Sequence, residues 1–153
     1  MLFVLLAACG SGDCHLSGLA NGQVTAVIDD ADYAASAVFT EAGSSIQVNL
    51  TPNAGWFSTV VLQVTEDGGD VATAVADAAW PIVVALGGDG GWATAYPDSG
   101  ESFRTEADGG TMTLVEPPDD VTLAGCFSFT GTSEAGATVS VTEGQFVATP
   151  FVQ

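Results

Sequence analysis

The 153-residue chain predicts an all-β protein, an antiparallel β-sandwich or flattened barrel of about nine to ten strands. Two observations carry this. Apolar and polar residues alternate with period two along most of the chain, the pattern of strands with one face in a core. Nineteen glycines, with abundant Thr, Val and Ala, break that pattern into short runs separated by turn residues. A hydrophobic content of 47% gives a single domain of this length a sizeable core and excludes a disordered tail.

Taken in order, Val24, Ala26 and Ile28 share one face of a strand that ends at Asp29-Asp30. Residues 33–39 resume after that turn, with alanines that also tolerate a helix. Ile46, Val48 and Leu50 alternate with Gln47, Asn49 and Thr51, a half-buried strand stopped by Pro52-Asn53. Residues 56–65 form a longer apolar run. Residues 70–79 are ambiguous: Val71, Val75 and Ala79 have helical spacing and alanine favours helix, so a short helix or a loop is expected. Residues 81–86 read as a buried strand, 87–91 as a turn, and Trp92, Thr94 and Tyr96 as one face of the next strand. Short strands follow at 103–105, 112–115 and 121–130. A final hairpin over 137–151 is expected to turn near Glu143-Gly144.

Ahead of this domain, Met1 to Ala8 form an apolar run ending in small residues. It is too short to span a bilayer, which takes roughly 20 residues, and has the character of a signal-peptide core. Leu6-Ala7-Ala8-Cys9 resembles the bacterial lipobox. The resemblance implies lipid attachment at Cys9, cleavage after Ala8 and acylation of the new amino terminus. The organisation is then a signal peptide over 1–8, an acylated tether over 9–22 and one β-domain over 23–153. Gly10 stands where an inner-membrane retention signal would place Asp, which points to the outer membrane rather than the inner. No Lys or Arg precedes the apolar run, which points to a start upstream or to a fragment.

The last third carries Gly110-Thr111-Met112-Thr113-Leu114, then Leu123-Ala124-Gly125-Cys126-Phe127-Ser128-Phe129, then Val139-Ser140-Val141-Thr142-Glu143-Gly144-Gln145-Phe146. With Val27-Ile28-Asp29 and Tyr33 near the front, these resemble a family of uncharacterised lipoprotein domains common in Bacteroidota. In that family Cys126 is more often Thr, and Glu143 often Asn. The resemblance implies a β-rich envelope domain and no particular activity. Within the middle motif, Val121, Leu123, Gly125, Phe127 and Phe129 fall on the core face, and Cys126 points the other way. Gly125 among large residues predicts close approach of a strand or an aromatic ring.

Charge narrows the partners. Nineteen acidic side chains face one basic residue, Arg104, for a net charge of -18. Nucleic-acid backbones are excluded as partners, because binding would be repulsive, and so is a flat seat on anionic lipid. Lysine is absent and Asp outnumbers Glu, as in proteins of salt-loving bacteria, where carboxylate repulsion is screened within about 3 Å at 1 M salt. Divalent-cation binding and an ordinary acidic surface are the alternatives.

Catalytic constellations are poorly supplied. His15, the only histidine, lies in the tether, so neither a triad nor a zinc site can be assembled. No catalytic residue and no cofactor is expected. With Cys9 given to lipid, Cys14 and Cys126 remain, as a disulfide or as two free thiols. Calcium, which takes six to eight oxygens, has weak candidate ligands in Asp29, Asp30, Asp32, Asp67, Asp70 and Asp89; the alternative is turn residues on a solvated surface. Trp92 and Tyr96, with Trp56 and Trp80 elsewhere, either fill the core or stack on sugar rings. The expected function is a non-catalytic envelope lipoprotein with a structural or binding domain. The membrane is its partner through the lipid, and a glycan or envelope protein its ligand.

Overall fold

The computed structural model describes residues 14–16, 18–42, 45–52, 59–64, 71–97 and 100–152. Its elements are β1 Gln23–Ile28, β2 Ala31–Ala42, β3 Ser45–Thr51, β4 Thr59–Val64, α1 Val71–Ala76, β5 Ile82–Leu86, β6 Gly91–Tyr96, β7 Phe103–Val115, β8 Leu123–Thr132 and β9 Thr138–Pro150. Cys9, Trp56, Asp67 and Asp70 lie outside the described residues.

Eight strands close into an antiparallel barrel in the order β7-β6-β4-β3-β2-β1-β9-β8, with β8 returning to β7. Closure removes the free edges that a two-layer sandwich would leave. The ninth strand, β5, pairs with β7 over Gly110–Leu114, while β6 pairs with the same edge of β7 at Phe103 and Arg104. Beyond the start of β1, the end of β9 runs on to pair in parallel with β2 at Val38 and Phe39.

Alternation decides what fills the barrel. Val24, Ala26 and Ile28, then Ile46, Val48 and Leu50, then Val60, Leu62 and Val64 all point inward and are buried. From the other half of the wall come Met112, Leu114, Phe127, Phe129 and Phe146, with ring centroids 6.1 Å apart for Phe127 and Phe146. The interior is thus occupied by side chains. Its one phenol, Tyr33, donates to the Leu50 carbonyl at 3.2 Å, and burial pushes its pKa well above the usual phenol range. The short helix α1 turns Val71, Ala74 and Val75 onto the core, joined by half-buried Trp80.

Gly125 meets the expectation set by its neighbours. A Cβ there would sit 2.5 Å from the Thr113 carbonyl oxygen and 3.1 Å from the Phe146 ring. Strand β8 passes too close to both for any side chain. Asp29 and Asp30 form the tight turn between β1 and β2, both at positive φ (47° and 67°). That is the two-residue primed turn whose twist matches a hairpin.

Three expectations are corrected. The separate strands at 103–105 and 112–115 are one strand, β7, with a register shift between Thr105 and Gly110. Where its backbone pairing with β6 lapses, the Thr105 hydroxyl takes over, accepting from the Ala93 amide at 3.0 Å. The final segment is no hairpin: β9 runs unbroken from Thr138 to Pro150. Glu143, at φ 53°, forms a bulge within it, opposite the shift between Phe127 and Phe129. Val121 is not on the core face; it precedes β8 in a turn and is 63% exposed.

Candidate functional site

The polar positions of the wall are where chemistry can occur, since the interior is filled. On β6, Trp92, Thr94 and Tyr96 point outward by alternation with buried Ala93 and Ala95. Their register places Gln63 opposite Trp92, Val61 opposite Thr94 and Thr59 opposite Tyr96. One strand further, Gln47 stands opposite Gln63, and Asn49 opposite Val61. On the other side, Arg104 of β7 stands opposite Thr94. A row Gln47–Gln63–Trp92 thus crosses the wall, with neighbours about 4.8 Å apart.

Within this surface the Gln47 amide donates to Asn49 Oδ1 at 2.8 Å. That leaves the Asn49 amide as a donor and the Gln47 carbonyl as an acceptor. The Arg104 guanidinium lies over the Trp92 ring, 4.5 Å from its centroid. An exposed cation–π contact of this kind is worth about 0.5–1 kcal/mol. Tyr96 is 48% exposed, Trp92 is half-buried and Thr94 is buried between them. The two aromatics therefore belong to the convex outer wall. One face of the Trp92 indole is taken by Arg104, which leaves Tyr96 as the open ring.

Among the described residues the acidic candidates do not gather. Asp29 is committed to structure: its Oδ1 accepts from the Ser140 amide at 2.9 Å, and its own amide donates to the Ser140 carbonyl. Asp30 completes the turn, Asp32 is exposed on β2, and Asp89 is exposed in the turn between β5 and β6. Among the described residues no group of three or more His, Cys, Asp or Glu side chains is placed to hold a metal ion.

The segment ahead of β1 is held against the outer wall. Cys14 and Cys126 form a disulfide with Cα atoms 5.6 Å apart. Ala124 and Val147, which face outward with Cys126, are buried. Gly22 donates to the Val147 carbonyl at 2.7 Å. Asn21 donates to Asp119 Oδ2 at 2.7 Å, while Asp119 Oδ1 accepts from the Val121 and Thr122 amides and the Thr122 hydroxyl. These donors, the Val121 amide foremost, hold the Asp119 carboxyl below its ordinary value of 3.8.

A carboxyl with a depressed folded-state pKa stabilises the protein above its unfolded pKa and loses that contribution as pH falls through the folded value. Replacing Asp119 by Asn is therefore expected to lower the melting temperature at pH 6–7, by an amount that shrinks as pH falls through the folded-state pKa of Asp119. Melting curves of both forms across that range check it. A deficit that is the same at every pH would mean that the charge of Asp119 is not what holds the latch.

Arg104, Gln47, Asn49 and Gln63 were not expected at this surface. The available signal was their outward parity on strands, with a lone cation on the strand that follows the one carrying Trp92. Which strands pair cannot be read from parity. No family model, curated protein or solved structure matches the chain.

Proposed function

We propose that this protein is a non-catalytic lipoprotein of a bacterial envelope, related to the uncharacterised Bacteroidota lipoprotein domains it resembles. Acyl chains on Cys9 hold it, at the outer membrane rather than the inner, and its β-barrel acts as a structural or binding module. The supporting observation is the Cys14–Cys126 disulfide. Disulfides persist in oxidising compartments outside the cytoplasm, and this one fastens the segment that follows the lipobox-like Leu6-Ala7-Ala8-Cys9 to the barrel wall. The acidic, lysine-free surface fits work in high salt. Expression of the full chain in a bacterial host fed tritiated palmitate tests the anchor. Label should enter the protein and partition with membranes, and Cys9→Ser should abolish both. An unlabelled, freely soluble wild type would sink the reading.

A second reading is favoured by the outer wall itself. Amides, hydroxyls and an open Tyr96 ring on one face have the donors, acceptors and stacking surface that bind carbohydrate, so the ligand of the module is a glycan.

A further inference from the structure

The disulfide fixes the point on the barrel from which the chain departs towards Cys9. Cys126 lies within β8, opposite Thr113 of β7 on one side and Gln145 of β9 on the other. Its side chain points out of the barrel to Cys14, whose Cα lies 5.6 Å from its own. In the ring of eight strands β3 stands directly across from β8, four strands away by either route. Opposite backbones of such a barrel are roughly 16 Å apart, given strands about 4.8 Å apart and tilted by about 40°.

Cys9 and Cys14 are five residues apart. A chain of that length spans at most about 18 Å, whatever its conformation. With β3 turned to a bilayer, Cys14 would stand on the far side of the barrel, more than about 20 Å above the lipid, and the link would not reach. With β8 towards the bilayer it reaches. Were Cys14 not bonded, the first attachments would be Asn21 and Gly22, through their hydrogen bonds to Asp119 and Val147. The link from Cys9 would then extend to about 40 Å, enough to pass round the barrel and permit any orientation.

We infer that the bonded Cys14 is a short leash that keeps the β8 wall towards the membrane and the β3 wall away from it. The inference rests on acylation at Cys9 and goes beyond it by giving the barrel a membrane side and a solution side. Averaged over the orientations the leash allows, β8 is nearer the lipid than β3. The row Gln47–Gln63–Trp92 starts on β3 and runs through β4 to β6. That polar surface therefore begins at the wall farthest from the lipid and is displayed to whatever approaches from solution.

The test uses the acylated, disulfide-bonded full chain in phosphatidylcholine vesicles that carry a rhodamine-labelled lipid, in about 1 M NaCl, where charge repulsion is screened. A donor dye is attached through an azide-bearing amino acid at Ser128 of β8 in one preparation and at Thr51 of β3 in another, both exposed positions. Energy transfer to the lipid should be stronger from position 128 than from position 51. Inserting about ten Gly and Ser residues between Gly10 and Ser11 adds up to about 35 Å of reach and leaves the disulfide and barrel as they are. The lengthened chain should lose the difference. Equal transfer from both positions in the chain of natural length, or a difference that survives the insertion undiminished, would overturn the inference while the anchor stands. A chain that does not partition with the vesicles would overturn the anchor reading and this inference with it.

Discussion

Replacing Cys14 and Cys126 together by serine is expected to lower the melting temperature by roughly 8–20 °C. The pair closes a loop with a sequence separation of 112. Chain-entropy arguments give a loop of that size about 4–5 kcal/mol, and each kcal/mol moves the melt of a chain this long by about 2–4 °C. Reduction of the wild type should reproduce the shift, and the double variant should be insensitive to reductant. Thermal melts in matched molar salt, with and without dithiothreitol, measure both. Coincident melts of oxidised wild type and double variant would show that the N-terminal segment adds nothing by being fastened, and that the buried outer face at Ala124 and Val147 is self-sufficient.

Gly87→Ala is expected to cost more than about 4 kcal/mol, the range reserved for core disruption or backbone strain, and to leave little folded protein. Gly87 has φ 99°, and its amide closes the β5–β6 turn onto the Gly91 carbonyl at 2.8 Å. A Cβ at this position would overlap the backbone carbonyl of Glu106. Glu106 belongs to the irregular stretch of β7 between Thr105 and Gly110. The clash therefore falls where two strands share one edge of β7, and neither can yield without losing its pairing. Soluble yield and a denaturant melt read the effect. A variant within about 0.5 kcal/mol of wild type would mean that turn and bulge move apart freely.

These two sites show what kind of information a sequence carries. Strands β1 and β3 were legible because Val24-Ala26-Ile28 and Ile46-Val48-Leu50 alternate cleanly, and the turn between β1 and β2 because Asp-Asp has few other uses. The close approach at Gly125 was legible from its large neighbours. Barrel closure was not. Alternation reports which face a residue takes and nothing about which distant strand lies beside it. The continuity of β7 and β9 was hidden for a related reason. Glu106 to Gly110, and Glu143-Gly144, have turn composition, yet each is a bulge that keeps the ladder going. At Thr105 a hydroxyl replaces the missing backbone bond, a substitution with no signature in periodicity. The candidate site was half legible: Trp92 and Tyr96 were placed on one face, whereas the guanidinium that covers Trp92 comes from a strand whose neighbour parity could not name.

The disulfide also sets a load path. Tension applied through residues ahead of Cys14 enters the wall at Cys126, within β8, a strand bonded on both sides. Without the crosslink, the same pull would arrive first at the Asn21–Asp119 and Gly22–Val147 hydrogen bonds and then load β1 from its end. With it, β8 must be sheared from β7 and β9 together before any strand is released. The molecule is thereby arranged to be tugged from its front end without unzipping, whatever lies at the far end of the line.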